Sequence, residues 1–206
     1  VEERERLARW WWTYANNLMI EHKINQNMIH SAIKKANTAP RAGALDFLQR
    51  CVDCNIPVII VSAGLQPVIE EFLLQHNETL LRSPLLSIHA NRMTFDESGV
   101  LVECAGEEDM IHFQNKHRIF SHCEAYFAEL RAQGREHALL LGDSLEDVRC
   151  LEAIPYQSAI KIGFANRPTN DVREYLERYD AVIAEDGSFE YVNDVLNRLL
   201  GGAPAS

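Results

Sequence analysis

Two acids four residues apart carry the first chemical signal in this chain. They lie in Ala138-Leu139-Leu140-Leu141-Gly142-Asp143-Ser144-Leu145-Glu146-Asp147. The short, unbroken apolar run predicts a buried parallel strand. Gly142 permits a tight turn at its end. Asp143 then stands at the carboxyl end of that strand, where open α/β sheets bind ligands. Leu145 to Cys150 predicts the start of a helix, with Asp147 in its first turn, so both carboxylates can face one point. Two acids at a strand end suit a hard, oxygen-seeking cation such as Mg²⁺. A plainer reading stands beside this one, with Ser144 as an N-cap, Asp147 as a capping-box acid and Asp143 as an exposed turn residue.

Two further strand ends offer complementary chemistry. Pro57 opens the run Val58-Ile59-Ile60-Val61, Ser62-Ala63-Gly64 follows, and Pro67 suits the first turn of a helix to about His76. A small-residue loop before a helix N-terminus presents N–H groups to an anion, and the Ser62 hydroxyl adds a hydrogen bond. The alternative is a generic strand-to-helix turn. Lys116, just before a helix predicted over Arg118 to Gln133, is a point charge on a flexible stem. It can reach a phosphate or simply be solvated. Together Ser62, Lys116, Asp143 and Asp147 supply what phosphoryl transfer needs, because catalysis there is mostly positioning and charge stabilisation.

Composition narrows the classes. The 206 residues, 47% hydrophobic, suit one ordinary domain with a small appendage. The net charge is -10 with no basic stripe, which argues against a nucleic-acid polymer as partner. No run is long enough to span a bilayer, so no membrane partner is expected. Cys51, Cys54, Cys104, Cys123 and Cys150 are odd in number and scattered, which favours reduced thiols and a cytoplasmic setting. Cys51 and Cys54 form a C-x-x-C without the second pair of a zinc site. The start, Val1-Glu2-Glu3-Arg4-Glu5-Arg6, is no signal peptide and has no initiator methionine. The oligomeric state is open, with a monomer one option.

These residues must be positioned by a regular scaffold. Val1 to His22 predicts a helix whose Trp10, Trp11, Trp12 and Tyr14 either pack or meet a ligand base. Ile24 to Ala36 predicts a second helix, and Thr38-Ala39-Pro40 a domain boundary. Beyond it come a helix over Arg41 to Asn55, a strand over Leu85 to Ala90 and a hairpin, Met93–Phe95 with Val100–Val102, around Asp96 to Gly99. Strands Ser158–Gly163 and Ala181–Ala184 alternate with helices Pro168–Arg178 and Phe189–Leu200, and Gly201 to Ser206 forms a loose tail. The alternation implies an α/β fold, a Rossmann-like parallel sheet with helices on both faces.

The order of a strand-end Ser, a Lys and then G-D-S-x-x-D resembles the haloacid-dehalogenase-like phosphohydrolases. Residues Ile56 to Gly64, Met93 to Leu101, Ile111 to His117, Leu139 to Asp147 and Ile160 to Phe164 resemble, more narrowly, the eukaryotic pyrimidine 5′-nucleotidases, the cytosolic type III family. The resemblance implies a small helical cap, of which residues 1–38 are a remainder, and a Rossmann-like core over residues 39–206. It implies Mg²⁺-dependent removal of the 5′-phosphate from pyrimidine nucleoside monophosphates such as UMP and CMP. Ser62 and Ala63 would bind the phosphate, Lys116 would hold it and the nucleophile, and Asp143 would ligate Mg²⁺ with Asp147 supporting the site. Trp11 to Asn16 resembles the cap helix that contacts the nucleotide, with Ala15 where the family often has Ser.

One family motif has no counterpart. The nucleophile of these enzymes comes from a D-x-D-x-T loop after the first strand, upstream of the cap. Ala184-Glu185-Asp186-Gly187 is the nearest strand-end acid, but it lacks the second Asp and falls in the wrong order, which leaves Asp186 as an ordinary turn residue. The favoured expectation is an incomplete record of a longer enzyme, with the nucleophilic Asp upstream and the core lacking its first strand. The alternative is a catalytically inactive nucleotide- or phosphate-binding module on the same fold. A receiver-like domain with an acidic pocket leaves the aromatic N-terminal helices without a purpose.

Overall fold

Apolar runs set the strands of this chain, and side-chain caps at Asn25 and Asp171 set where two of its helices begin. The computed structural model describes residues 2–168 and 171–201. In order, the elements are α1 (Glu2–Glu21), α2 (Gln26–Ala36), α3 (Ala44–Asp53), β1 (Val58–Leu65), α4 (Gln66–Leu81), β2 (Leu86–Asn91), β3 (Met93–Phe95) and β4 (Leu101–Cys104). A 3-10 helix (Lys116–His122), α5 (Glu124–Ala132), β5 (His137–Gly142), a second 3-10 helix (Asp147–Ala153), β6 (Ser158–Ala165), α6 (Val172–Leu176), β7 (Ala181–Ala184) and α7 (Glu190–Leu199) follow. The chain forms two compact units, Val1–Ala39 with Leu48–Gln114, and Pro40–Phe47 with Asn115–Ser206.

In the first unit β1 and β2 pair in parallel, with Val58 opposite Leu86 and Val61 opposite His89. The register slips between Val61 and Leu65. Ser62 to Gly64, expected as a loop beyond the strand, therefore form an irregular stretch inside β1. Helix α4 starts at once, with Pro67 in its first turn, where a missing N–H costs nothing. It runs past the expected end near His76. Asn77 leaves helical geometry there, and its Oδ1 accepts the Leu80 N–H, which restarts the helix.

Strands β3 and β4 pair antiparallel around a turn organised by Asp96. Its Oδ1 accepts the backbone N–H groups of Ser98 and Val100 and the Ser98 hydroxyl. Gly99 supplies the positive φ, +79°. The Gln26 N–H donates to the Gly99 carbonyl and the Leu101 N–H to the Ile24 carbonyl, so the hairpin is tied to the α1–α2 junction. Asn25 caps α2 through the Met28 N–H.

In the second unit β5, β6 and β7 form a parallel sheet with β6 in the middle. Leu139 lies opposite Ile160, and Gly142 opposite Gly163. Ile162 on the central strand is wholly buried, and Tyr175 and Tyr179 pack with Ala165, Leu140, Val148 and Val182. Arg41 stacks over Phe164 at 4.8 Å and donates to the Asn166 side chain.

Three helix expectations are corrected in this unit. The helix predicted over Arg118 to Gln133 is a 3-10 helix followed by α5, broken where the Cys123 N–H closes a tight turn on the Phe120 carbonyl. Phe120 and Phe127 are both buried, and their seven-residue spacing suits a continuous helix equally well, so the pattern hides the break. No helix starts at Leu145. Asp147 binds the backbone behind it, which holds residues 143–146 in a turn and delays the 3-10 helix to Asp147. Helix α6 begins at Val172, capped by Asp171 through the Arg173 N–H, instead of at Pro168. Thr169, Asn170 and the tail at 202–206, which those expectations included, lie outside the described residues.

Candidate active site

Strand β5 delivers Asp143 to its carboxyl tip, as its sequence implied. The residue is exposed, and among the described residues no side chain pairs with its carboxylate. Asp147 differs. It is buried, its Oδ2 accepts the Asp143 and Ser144 N–H groups at 3.1 Å each, and its Oδ1 lies 2.8 Å from Lys116 Nζ. Lys116 opens the first 3-10 helix, which packs on the second, and this packing brings lysine and acid together. Hydrogen bonds from backbone N–H groups and a lysine are charge-assisted and offset the cost of burying this carboxylate. The capping reading is met only in part: Asp147 accepts the Ser144 N–H as a capping-box acid would, but the 3-10 helix begins at Asp147 itself, with Glu146 before it and no side-chain cap.

Two tyrosines brace the turn from the other side. The Tyr175 hydroxyl donates to the Asp143 carbonyl at 2.7 Å, and the Tyr179 hydroxyl to the Ser144 carbonyl at 2.5 Å. Their rings stack with centroids 5.9 Å apart. Burial pushes the Tyr179 phenol far above the usual tyrosine range, reinforced by the Asp147 charge, and raises Tyr175 for the same reason. Both therefore stay protonated donors. A Cβ on Gly142 would stand 2.5 Å from the Tyr179 hydroxyl and 2.7 Å from Asp147 Cβ, and one on Gly163 would strike the Tyr179 ring. Glycine at both positions is what lets the tyrosine reach the turn.

The donor set fits a hard divalent cation held partly by the protein. Mg²⁺ commonly takes one or two carboxylates and fills its octahedron with water and phosphate oxygens. Asp143 offers such a carboxylate, with Asp147 four residues on. Among the described residues no three His, Cys, Asp or Glu side chains cluster around one point, so an all-protein cage is not formed.

Ser62 and Ala63 lie in the other unit. The Ser62 Oγ accepts the Gly64 N–H at 3.0 Å, which leaves its own hydrogen to donate outward. Buried Asn91, at the end of β2, donates to the Ala63 carbonyl at 2.8 Å. Ala15 sits half-buried on α1, next to buried Asn16. Trp10, Trp11 and Tyr14 are exposed, Trp10 stacks on Tyr14 at 5.8 Å, and Leu7, Trp10, Trp11 and Phe113 line an open groove. Asp186 is exposed and lies 3.2 Å from the Arg41 guanidinium, as suits a turn residue.

Sequence reasoning missed Asn91, Tyr175 and Tyr179. Asn91 ends β2, where Ser87 and His89 interrupt the apolar residues, so no apolar run pointed to it as one did to Ser62 and Asp143. The four-residue spacing of the tyrosines marked one helix face but not what it touches. The Cys51-x-x-Cys54 pair is unbridged. No helix among the described residues is long and apolar enough to cross a membrane.

Comparison with known proteins bears on the whole chain. The human 7-methylguanosine phosphate-specific 5′-nucleotidase is 33% identical over 192 residues, 92% of this chain and 62% of that protein. The Gallus gallus protein of the same name is 32% identical over 97% of this chain and 68% of its own length. A putative cytosolic 5′-nucleotidase 3 of Caenorhabditis elegans is 27% identical over 96% of this chain and 52% of its own. The chain thus spans about three-fifths of the human protein's length. The solved structure of cytosolic 5′-nucleotidase IIIB bound to cytidine matches with a TM-score of 0.72 at 23% identity, over 86% of this chain and 58% of that one. That likeness is one of fold, and it bears out the expected α/β architecture with parallel strands. A model of the family described as pyrimidine 5′-nucleotidase (UMPH-1) matches residues 1–200, and the chain belongs to that family.

Proposed function

We propose that this chain is the larger part of a 5′-nucleotidase, a phosphoric monoester hydrolase acting on nucleoside 5′-monophosphates. The observation that carries the reading is the exposed Asp143 carboxylate at the tip of β5, unpaired among the described side chains and on a turn held by Asp147, Tyr175 and Tyr179. A ligand-binding acid on a rigid strand end is what phosphoryl transfer uses. Family membership supports the same reaction class.

On this reading Ser62 and the Ala63 backbone bind phosphate oxygens. Lys116, with one donor engaged by Asp147, offers the others to the phosphate. Asp143 would hold Mg²⁺, with Asp147 beside it, and the ion when bound would neutralise phosphate charge. The nucleophile is an aspartate outside these 206 residues. Its carboxylate oxygen bonds to phosphorus as the P–O5′ bond breaks, the nucleoside leaves with a proton, and water then cleaves the acyl phosphate to inorganic phosphate. On the same reading residues 1–38 are the remainder of a helical cap domain and 39–206 the core, with α1 and Ala15 contacting the nucleotide. Five cysteines, all unbridged, support a cytoplasmic setting.

The base is the open choice. UMP and CMP follow from the family description, and 7-methylguanosine monophosphate from the names of the relatives. The test is phosphate release by the full-length protein from UMP, CMP, 7-methylguanosine 5′-monophosphate and AMP, with Mg²⁺ and with EDTA. The account expects metal-dependent release from one of the first three and little from AMP. Saturable nucleotide binding without release would favour the inactive binding module.

A further inference from the structure

Asn91 uses its whole amide inside the first unit. It is 2% exposed. Its Nδ2 donates to the Ala63 carbonyl at 2.8 Å and to the Ile111 carbonyl at 2.9 Å, while its Oδ1 accepts the Ile111 N–H at 2.8 Å. The amide thereby clips the irregular end of β1 to the segment at Ile111, which stands apart from β1 in sequence.

The clip has a directional consequence. The Ala63 carbonyl and the Gly64 N–H belong to one planar peptide unit, so fixing the first fixes the second. The Gly64 N–H donates to Ser62 Oγ at 3.0 Å. A hydroxyl oxygen that accepts this bond keeps its single hydrogen for another acceptor. Gly64 also leaves room, since a Cβ there would sit 3.2 Å from Ser62 Oγ. The chain of contacts runs from Asn91 through peptide 63–64 to Ser62, and bonds linked in this way polarise one another.

We infer that Asn91 is a positioning residue for the phosphate subsite: it orients peptide 63–64 so that the Ser62 hydroxyl is held as a donor to a phosphate oxygen. The inference rests on the proposed role of Ser62 and adds the residue that sets its geometry. Asn91 does not touch the substrate.

The test is a double-mutant cycle in the full-length enzyme, measuring kcat, KM and inhibition by inorganic phosphate with whichever nucleotide is turned over. Asn91→Ala and Ser62→Ala should each lower kcat/KM, Asn91→Ala by about 10- to 100-fold. The double variant should lose little beyond the larger single loss, because Asn91 acts through Ser62. Losses that multiply would overturn the inference, as would full activity of Asn91→Ala beside an impaired Ser62→Ala. Full activity of Ser62→Ala would overturn the phosphate-loop reading itself, and this inference with it. Should Asn91→Ala not fold, Asn91→Asp serves in the same cycle. A buried carboxyl is shifted upward, and its protonated form regains an O–H donor for the Ala63 carbonyl. The activity of Asn91→Asp relative to the parent should therefore rise as pH falls. A flat ratio would contradict the inference.

Discussion

Lys116 Nζ lies 2.8 Å from Asp147 Oδ1, and the same carboxylate grips the backbone N–H groups that lead out of Asp143. One buried acid thus fixes both the lysine and the loop that carries the exposed acid. Stability and site geometry are coupled at this point.

Removing the lysine alone should therefore be costly. Lys116→Met leaves Asp147, 8% exposed at its side chain, with an uncompensated charge. The expected loss is about 3 kcal/mol of unfolding free energy, as for other broken buried pairs. Lys116→Met with Asp147→Asn should recover most of that loss, because the amide oxygen still accepts the Asp143 and Ser144 N–H groups. Urea unfolding checks the pair, and phosphate release checks that stability returns without activity.

Gly142→Ala should destabilise by about 1–3 kcal/mol, the usual range for overpacking. Its Cβ would meet the Tyr179 hydroxyl at 2.5 Å. Tyr179→Phe alone should also destabilise, since the Ser144 carbonyl loses its donor. In the Gly142→Ala background the same change should help, by removing the crowded hydroxyl. Thermal unfolding of the three variants reads this reversal of sign.

The thiols should react in an order set by burial. Burial pushes Cys51 and Cys150 up to about 11, with the Cys54 and Asp147 charges adding to each in turn. Their thiolate fraction at pH 7.5 is therefore small, and both are shielded. Cys54 is exposed. Iodoacetamide at pH 7.5 should modify Cys54 first and reach Cys51 and Cys150 only on unfolding, as peptide mass mapping would show.

The Asp96 turn should give the fold part of its acid sensitivity. Hydrogen bonds from the Ser98 hydroxyl and then the Val100 N–H hold this carboxyl below its usual value. A depressed folded-state value means stability that is present above the unfolded value and lost as pH falls through the folded one. Asp96→Ala should lower the thermal midpoint at pH 7 and flatten its decline below about pH 4. Equal declines in parent and variant would show that the turn contributes nothing to acid sensitivity.

Strand positions were legible because buried parallel strands are written as short apolar runs, and β5 and β7 fall where Leu139–Leu141 and Ala181–Ala184 imply. Asp143 was legible for the same reason, since it is the first polar side chain after such a run. Helix starts were less so, because single hydrogen bonds moved them: Asp147 delayed one, Asp171 capped another, and Asn77 restarted a third. Asn91, Tyr175 and Tyr179 could not be read from local pattern. Their partners lie 20 to 35 residues away in sequence, and only the folded chain brings a tyrosine hydroxyl to Ser144 or an amide to Ala63.

Asp143→Asn in the full-length protein tests the account most directly. The substitution keeps the size of the side chain and the Asp143 backbone contacts, and it removes only the charge offered at the strand tip. Mg²⁺-dependent phosphate release from the preferred nucleotide should fall by about 10³-fold, with the melting temperature little changed. Undiminished release would contradict the assignment of this strand tip as the site of phosphate chemistry.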